Sequence, residues 1–147
     1  MLQFDDFGYL TPYETHVLSL EDFERTFVID TEREKLFRLL TDLVLDLKNL
    51  GAGTFYIWVD GSFVTKKRVP KDIDLVVFVN YRTYKLIDEQ RLNLQERFEP
   101  QLDMFIVEDF PEEHSDYSLT VFDKLRWQGF FGFDRAFRNK GFVQLNF

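Results

Sequence analysis

An α/β or α+β domain, with a small mixed sheet flanked by helices, is the fold class this sequence predicts. Three observations carry it. A leucine stripe of helical period covers residues 36–50, two β-rich runs follow at 54–59 and 73–79, and another helical segment and strand succeed them. The patterns therefore run helix, strand, strand, helix, strand, which is a layered arrangement of helices on a sheet. A length of 147 residues suits one domain, 1–147, built around one core.

Each element has its own signal. Ser19-Leu20-Glu21-Asp22 starts a short helix that runs to about Phe27. Thr31-Glu32-Arg33-Glu34 reads as a second capping box. Leu36, Leu39, Leu40, Leu43, Val44, Leu47 and Leu50 then form one apolar stripe, stopped by Gly51-Ala52-Gly53. Thr54 to Val59 is β-rich and ends at the turn signal Asp60-Gly61. Ile73 to Val79 is almost continuously apolar, as expected of a central strand covered on both faces. Residues 81–98 read as one helix with Tyr84, Ile87, Arg91, Leu94 and Phe98 on one side, ended by Pro100. Leu102 to Val107 is a third strand. An acidic loop at 109–116, an aromatic helix-like segment at 117–131 and a last strand at 141–147 close the chain.

Composition narrows the function classes. Hydrophobic residues make up 45% and charged residues 30%, which is globular rather than disordered. No apolar run approaches the roughly 20 residues of a membrane span, and the first residues lack a signal-peptide pattern, so a soluble, cytoplasmic protein without membrane partners is expected. With no cysteine there is no disulfide, thiolate metal site or cysteine nucleophile. The two histidines, His16 and His114, are too far apart in sequence to suggest a zinc centre. The net charge of −8 argues against extended nucleic-acid binding. The charge is uneven, however: −6 over residues 1–30, and +4 over each of 62–71 and 124–141. The two basic segments suit a small polyanion such as a nucleoside triphosphate, or are simply solvated loops.

The chemistry concentrates in one stretch. Asp72 and Asp74 stand two apart at a strand start, so their side chains share a face roughly 6.6 Å apart. Paired carboxylates there suit hard divalent cations and do not suit a core. Gly61-Ser62 follows the preceding strand, where backbone N–H groups and a hydroxyl can cradle a phosphate. Asp103, at the start of the third strand, completes the cluster if that strand lies beside the second.

Gly61, Ser62, Asp72, Asp74 and Asp103 together resemble the signature of the polymerase-β-like nucleotidyltransferase superfamily, over roughly residues 31–108. The text Trp127-Gln128-Gly129-Phe130-Phe131-Gly132-Phe133-Asp134-Arg135 and Asn139-Lys140-Gly141, with Asp60 to Thr65, is similar to a small stand-alone bacterial subfamily of unknown substrate. That extends the likeness into a C-terminal aromatic and basic extension, about 115–147. The resemblance implies that Asp72 and Asp74 hold a Mg²⁺ (or Mn²⁺) ion bridging the triphosphate. It implies that Asp103 holds the catalytic ion and activates an acceptor hydroxyl. Gly61 and Ser62 would bind the β- and γ-phosphates, and Lys66, Lys67, Arg68 and Lys71 would neutralise triphosphate charge. Arg135 and Lys140 join if the tail folds back over the site. The implied reaction moves a nucleoside monophosphate from an NTP, with ATP the expected donor, to a hydroxyl of a protein, RNA or small molecule. A partner protein or homodimer would supply what so short a chain lacks. The alternative is a non-catalytic partner-binding or antitoxin-like regulatory protein on the same fold. One departure stands out: minimal members often carry Ala-Arg-Gly after the Gly-Ser, where this chain has bulky Phe63 followed by Val64 and Thr65.

Overall fold

A computed structural model describes residues 2–147. In chain order the elements are β1 (Gln3–Phe4), β2 (Leu10–Thr11), β3 (Thr15–Leu18), α1 (Leu20–Phe27), α2 (Thr31–Asn49), β4 (Phe55–Asp60), a 3₁₀ turn (Ser62–Val64), β5 (Ile73–Asn80), α3 (Tyr81–Asp88), α4 (Arg91–Phe98), β6 (Leu102–Asp109), α5 (Tyr117–Phe131) and β7 (Phe142–Asn146). The fold is α+β. A mixed five-stranded sheet in the order β3-β7-β4-β5-β6 has helices on both faces, and β1 and β2 form a separate antiparallel pair.

β4 and β5 pair antiparallel, whereas β5 and β6 run parallel across the α3–α4 crossover. On one face Ile57, Val59, Leu75, Val77 and Met104 pack under α1, α2 and α4 through Phe23, Leu40, Leu43, Leu47 and Phe98. On the other, Trp58, Val76, Phe78, Val107 and Phe142 meet Phe131 of α5. Leu75 to Val79 are all fully buried, as the unbroken apolar run predicts for a strand covered on both sides.

Three sequence expectations change. The segment 81–98 is two helices: Gln90 N–H bonds back to the Ile87 carbonyl, tightening the turn, and the chain restarts at Arg91 so that Leu94 and Phe98 again face the sheet. The second long helix is capped by Asp30, whose carboxylate accepts from Arg33 N–H at 2.8 Å, one residue before the Thr31 of the expected box. The first eighteen residues, where the pattern predicts no regular element, hold β1, β2 and β3, and β3 pairs with β7 near the far end of the chain.

Candidate functional site

The sheet register builds the site. Asp60 is the direct neighbour of Asp74 across β4 and β5, and Asp74 is the neighbour of Asp103 across β5 and β6. Register partners point to the same face, so three carboxylates form a row across three strands, with Asp72 two residues before Asp74. Asp60 closes the face that begins with Tyr56 and Trp58. It is buried, and its Oδ2 accepts from Lys140 Nζ at 2.7 Å. Its Oδ1 is buried with no partner among the described residues. Burial outweighs the lysine and pushes the Asp60 carboxyl up to about 6. Burial likewise raises Asp74, and the negative charges of Asp72 and Asp103 raise it further.

Gly61 is required by close approach. At φ +80° it sits against Asp74, and a Cβ there would overlap the Asp74 Oδ2 atom. Ser62 opens the 3₁₀ turn behind it. Phe63, the bulky departure, turns away from the cleft: it is fully buried and stacks on Phe23 with ring centroids 5.7 Å apart.

The loop after Ser62 is held from behind by Arg33, a residue the sequence offered only as part of a helix cap. Its guanidinium is 1% exposed and donates to the carbonyls of Phe27 (3.1 Å), Phe63 (2.6 Å), Thr65 (3.0 Å) and Lys67 (2.8 Å). Its nearest carboxylate oxygen, on Asp30, is 4.0 Å away. Burial lowers its pKa from the ordinary arginine value, yet arginine stays charged in proteins. The carbonyls of Phe63, Thr65 and Lys67 are thus drawn inward, and Ser62, Lys66 and Lys67 line the cleft. The N-terminal hairpin braces the same loop, since Lys66 N–H donates to the Gly8 carbonyl at 3.0 Å.

The C-terminal extension folds back. Asp134 Oδ1 accepts from the backbone of Ala136 and Arg138, and Oδ2 accepts from Tyr9 Oη at 2.8 Å, which closes the 132–141 loop onto the N-terminal hairpin. The Arg138 N–H foremost, then the Tyr9 hydroxyl, hold the Asp134 carboxyl down at about 2. Arg135 and Lys140 reach the cleft on this loop. Arg68 and Lys71, expected to neutralise phosphate, are exposed and outside its lining, because the chain turns away after Lys67.

Two adjoining clefts result. The first, of about 1060 Å³, has Gly61, Ser62, Lys66 and Lys67 on one wall, Phe133, Arg135 and Lys140 opposite, Asp5 and Asp6 at its rim, and Asp72, Asp74 and Asp103 on its floor. The second, of about 810 Å³, follows β6 between α3–α4 and α5. Asp74, Asp103 and Phe130 belong to both, so the carboxylates stand where the two spaces meet.

The donor set is carboxylate oxygen, which suits Mg²⁺ or Mn²⁺. Among the described residues no group of three or more histidine, aspartate or glutamate side chains is placed to hold a metal ion. Mg²⁺ is normally held by one or two carboxylates and completed by water and phosphate, so the aspartates of this cleft offer the right donor type without forming a three-carboxylate centre. The first cleft has four cationic side chains (Lys66, Lys67, Arg135, Lys140) against six carboxylates, Asp134 being the sixth, so a polyanion needs accompanying cations to enter it.

The chain belongs to a family of unknown function, DUF6932, whose model matches residues 2–146. No curated protein and no solved structure matches it.

Proposed function

We propose that this protein is a metal-dependent nucleotidyltransferase that moves a nucleoside monophosphate from an NTP, ATP foremost, to an acceptor hydroxyl. The observation that carries the proposal is the row of carboxylates at the junction of two clefts, one lined with lysines and an arginine and the other free for an acceptor. Bound Mg²⁺ or Mn²⁺, held by Asp72, Asp74 and Asp103, would supply charge neutralisation of the triphosphate and Lewis acidity at its α-phosphorus. The chain's own residues do the rest. Ser62 and the backbone after Gly61 bind the β- and γ-phosphates. Lys66, Lys67, Arg135 and Lys140 balance the charge that gathers on the departing pyrophosphate. Asp103, the most open of the three acids, takes the acceptor's proton. The acceptor oxygen bonds to the α-phosphorus as the bond from that phosphorus to the bridging pyrophosphate oxygen breaks, giving a phosphodiester and pyrophosphate. Asp60 holds Lys140 in place through their ion pair.

The test uses water in place of the acceptor. Pyrophosphate and nucleoside monophosphate release from ATP, GTP, CTP and UTP is measured with and without Mg²⁺. Mg²⁺-dependent release is expected from the wild type and not from Asp74→Ala or Asp103→Ala, both still folded. Equal release by all three proteins removes the proposal. The alternative, a non-catalytic partner-binding protein, draws on the exposed Leu119, Phe122, Leu125 and Phe130 of α5, and such a protein keeps its partner in both variants.

A further inference from the structure

Helix α5 is apolar on both sides. Its inner face turns Thr120, Trp127 and Phe131 to the sheet, where Trp127 packs on Phe105 and Phe131 on Phe142. Its outer face carries Phe122 and Leu125, 74% and 62% exposed, with Leu119 and Gly129 exposed beside them. A surface helix turns polar residues to water, and a helix apolar all round is a buried one. Gly129 adds to this. Among the described residues nothing lies within 4 Å of where a Cβ would stand there, so no contact inside the chain calls for a glycine, although glycine weakens a helix interior. Gly129, Phe130, Phe133 and Phe137 line a cavity of about 580 Å³ at this end of the helix. Phe137 is exposed and is held at φ +60°, a conformation costly for a bulky side chain.

We infer that the outer face of α5 is the contact of a homodimer, in which the helices of two copies cross antiparallel about a two-fold axis beside Leu125 and Phe122 of each copy enters the Gly129 cavity of the other. Phe122 and Gly129 are seven residues apart, two turns and roughly 10 Å along one face of the helix. A two-fold axis midway between them sets each phenylalanine over the other copy's glycine, and Leu125 falls beside that axis. The absent Cβ lets the phenylalanine ring rest against helix backbone. The area matches as well. Taking roughly 200 Å² for a whole phenylalanine, the exposed fractions of Leu119, Phe122, Leu125, Phe130, Phe133 and Phe137 come to on the order of 700 Å². The largest apolar patch of a typical monomer is about 300–600 Å², and a stable interface takes about 800 Å² from each partner. Charge does not interrupt the stripe, because Asp123 and Arg126 line the second cleft and Lys124 lies over the Tyr56 ring. Phe130 and Phe133 also line the first cleft, so the contact braces one of its walls. Neither metal nor nucleotide takes part in it.

The test is sedimentation equilibrium of the full chain, without nucleotide or divalent ion, and a dimer is expected. Phe122→Glu is expected to raise the dimer dissociation constant about thirtyfold or more, the size of a hot-spot loss. Gly129→Leu blocks the cavity and is expected to raise it about tenfold or more. That variant also gains helix propensity, so at a dilution where both proteins are monomeric it melts no lower than the wild type. Leu45→Glu, on the exposed side of α2, is expected to leave the dimer unchanged. The chain has no cysteine, so single cysteines locate the axis. On oxidation Leu125→Cys is expected to link to itself across the axis, where Cα atoms come within the roughly 7 Å that a disulfide spans. Leu119→Cys, about 20 Å from its counterpart by helical rise, is expected not to. Three results overturn the inference. One is a monomer at about 100 µM, above the micromolar limit of standard-size interfaces, whether or not another protein binds the face. The others are a dimer indifferent to both Phe122→Glu and Gly129→Leu, and cross-linking at position 119 in place of 125.

Discussion

Arg33→Met keeps most of the side-chain volume and removes the guanidinium. Four carbonyl oxygens then lose charged donors at 2.6–3.1 Å. Those of Thr65 and Lys67 lie in a part-exposed loop and can turn to water. Those of Phe27 and Phe63 are sealed, and an unsatisfied buried polar group costs about 1–3 kcal/mol. Relief of a buried cation's desolvation offsets part of that sum, which leaves a net loss of about 3 kcal/mol. For a chain of this size the melting temperature falls by about 10 °C. Urea unfolding followed by circular dichroism at neutral pH measures the loss, and an unchanged m-value assigns it to the native state. Arg33→Lys retains the charge and recovers little, because one ammonium lacks the planar fork that spans carbonyls from both sides. A loss below about 1 kcal/mol, the range of ordinary surface changes, would refute the role given to this arginine.

Three further outcomes follow from the same geometry. Phe63→Ala is expected to cost about 3–5 kcal/mol as a core cavity, while any Mg²⁺–ATP-dependent rise in melting temperature survives, since Phe63 is outside the cleft. Gly61→Ala places a Cβ on the Asp74 carboxylate at a positive φ; about 1–3 kcal/mol of stability is lost by the backbone conformation alone, and nucleotide-dependent stabilisation disappears with the displaced acid. Asp134 is depressed to about 2 from an ordinary 3.8, so its contribution is present above pH 4 and is lost as the pH falls toward 2. The melting temperatures of wild type and Asp134→Ala should therefore differ at neutral pH and draw together on acidification, and a gap at pH 2 as large as that at neutral pH would contradict this.

The parts of the fold written in local periodicity were legible in the sequence: the leucine stripe of α2 and the unbroken apolar run of β5. Residues whose role depends on register between distant strands were not. Asp60 read as half of an Asp-Gly turn, although Tyr56, Trp58 and Asp60 alternate along one face and so offered a signal. Only the β4–β5 pairing sets it beside Asp74. Arg33 reads as an ordinary polar residue of a first helical turn, and nothing local tells that four carbonyls converge on it. The charge count flagged 62–71 as one basic block, but the turn after Lys67 separates Lys66 and Lys67, which reach the cleft, from Arg68 and Lys71, which do not. β1, β2 and β3 are two to four residues long, too short for any alternation to show.

The central claim is that the carboxylate row and the lysines opposite it bind a metal–nucleotide pair. Thermal shift of the wild type and of Asp72→Ala/Asp74→Ala with ATP, GTP, CTP and UTP, each with and without Mg²⁺, tests it most directly. Ligand that binds only the folded state raises the melting temperature, by an amount corresponding to about 2.7 kcal/mol at a hundredfold excess over Kd. The expected result is a Mg²⁺-dependent rise with ATP in the wild type and none in the variant. Removing Asp74, whose charge is raised in energy by burial and by Asp72 and Asp103, should leave the ligand-free variant no less stable than the wild type. No rise with any nucleotide, or an equal rise in the variant, would contradict the assignment of this site.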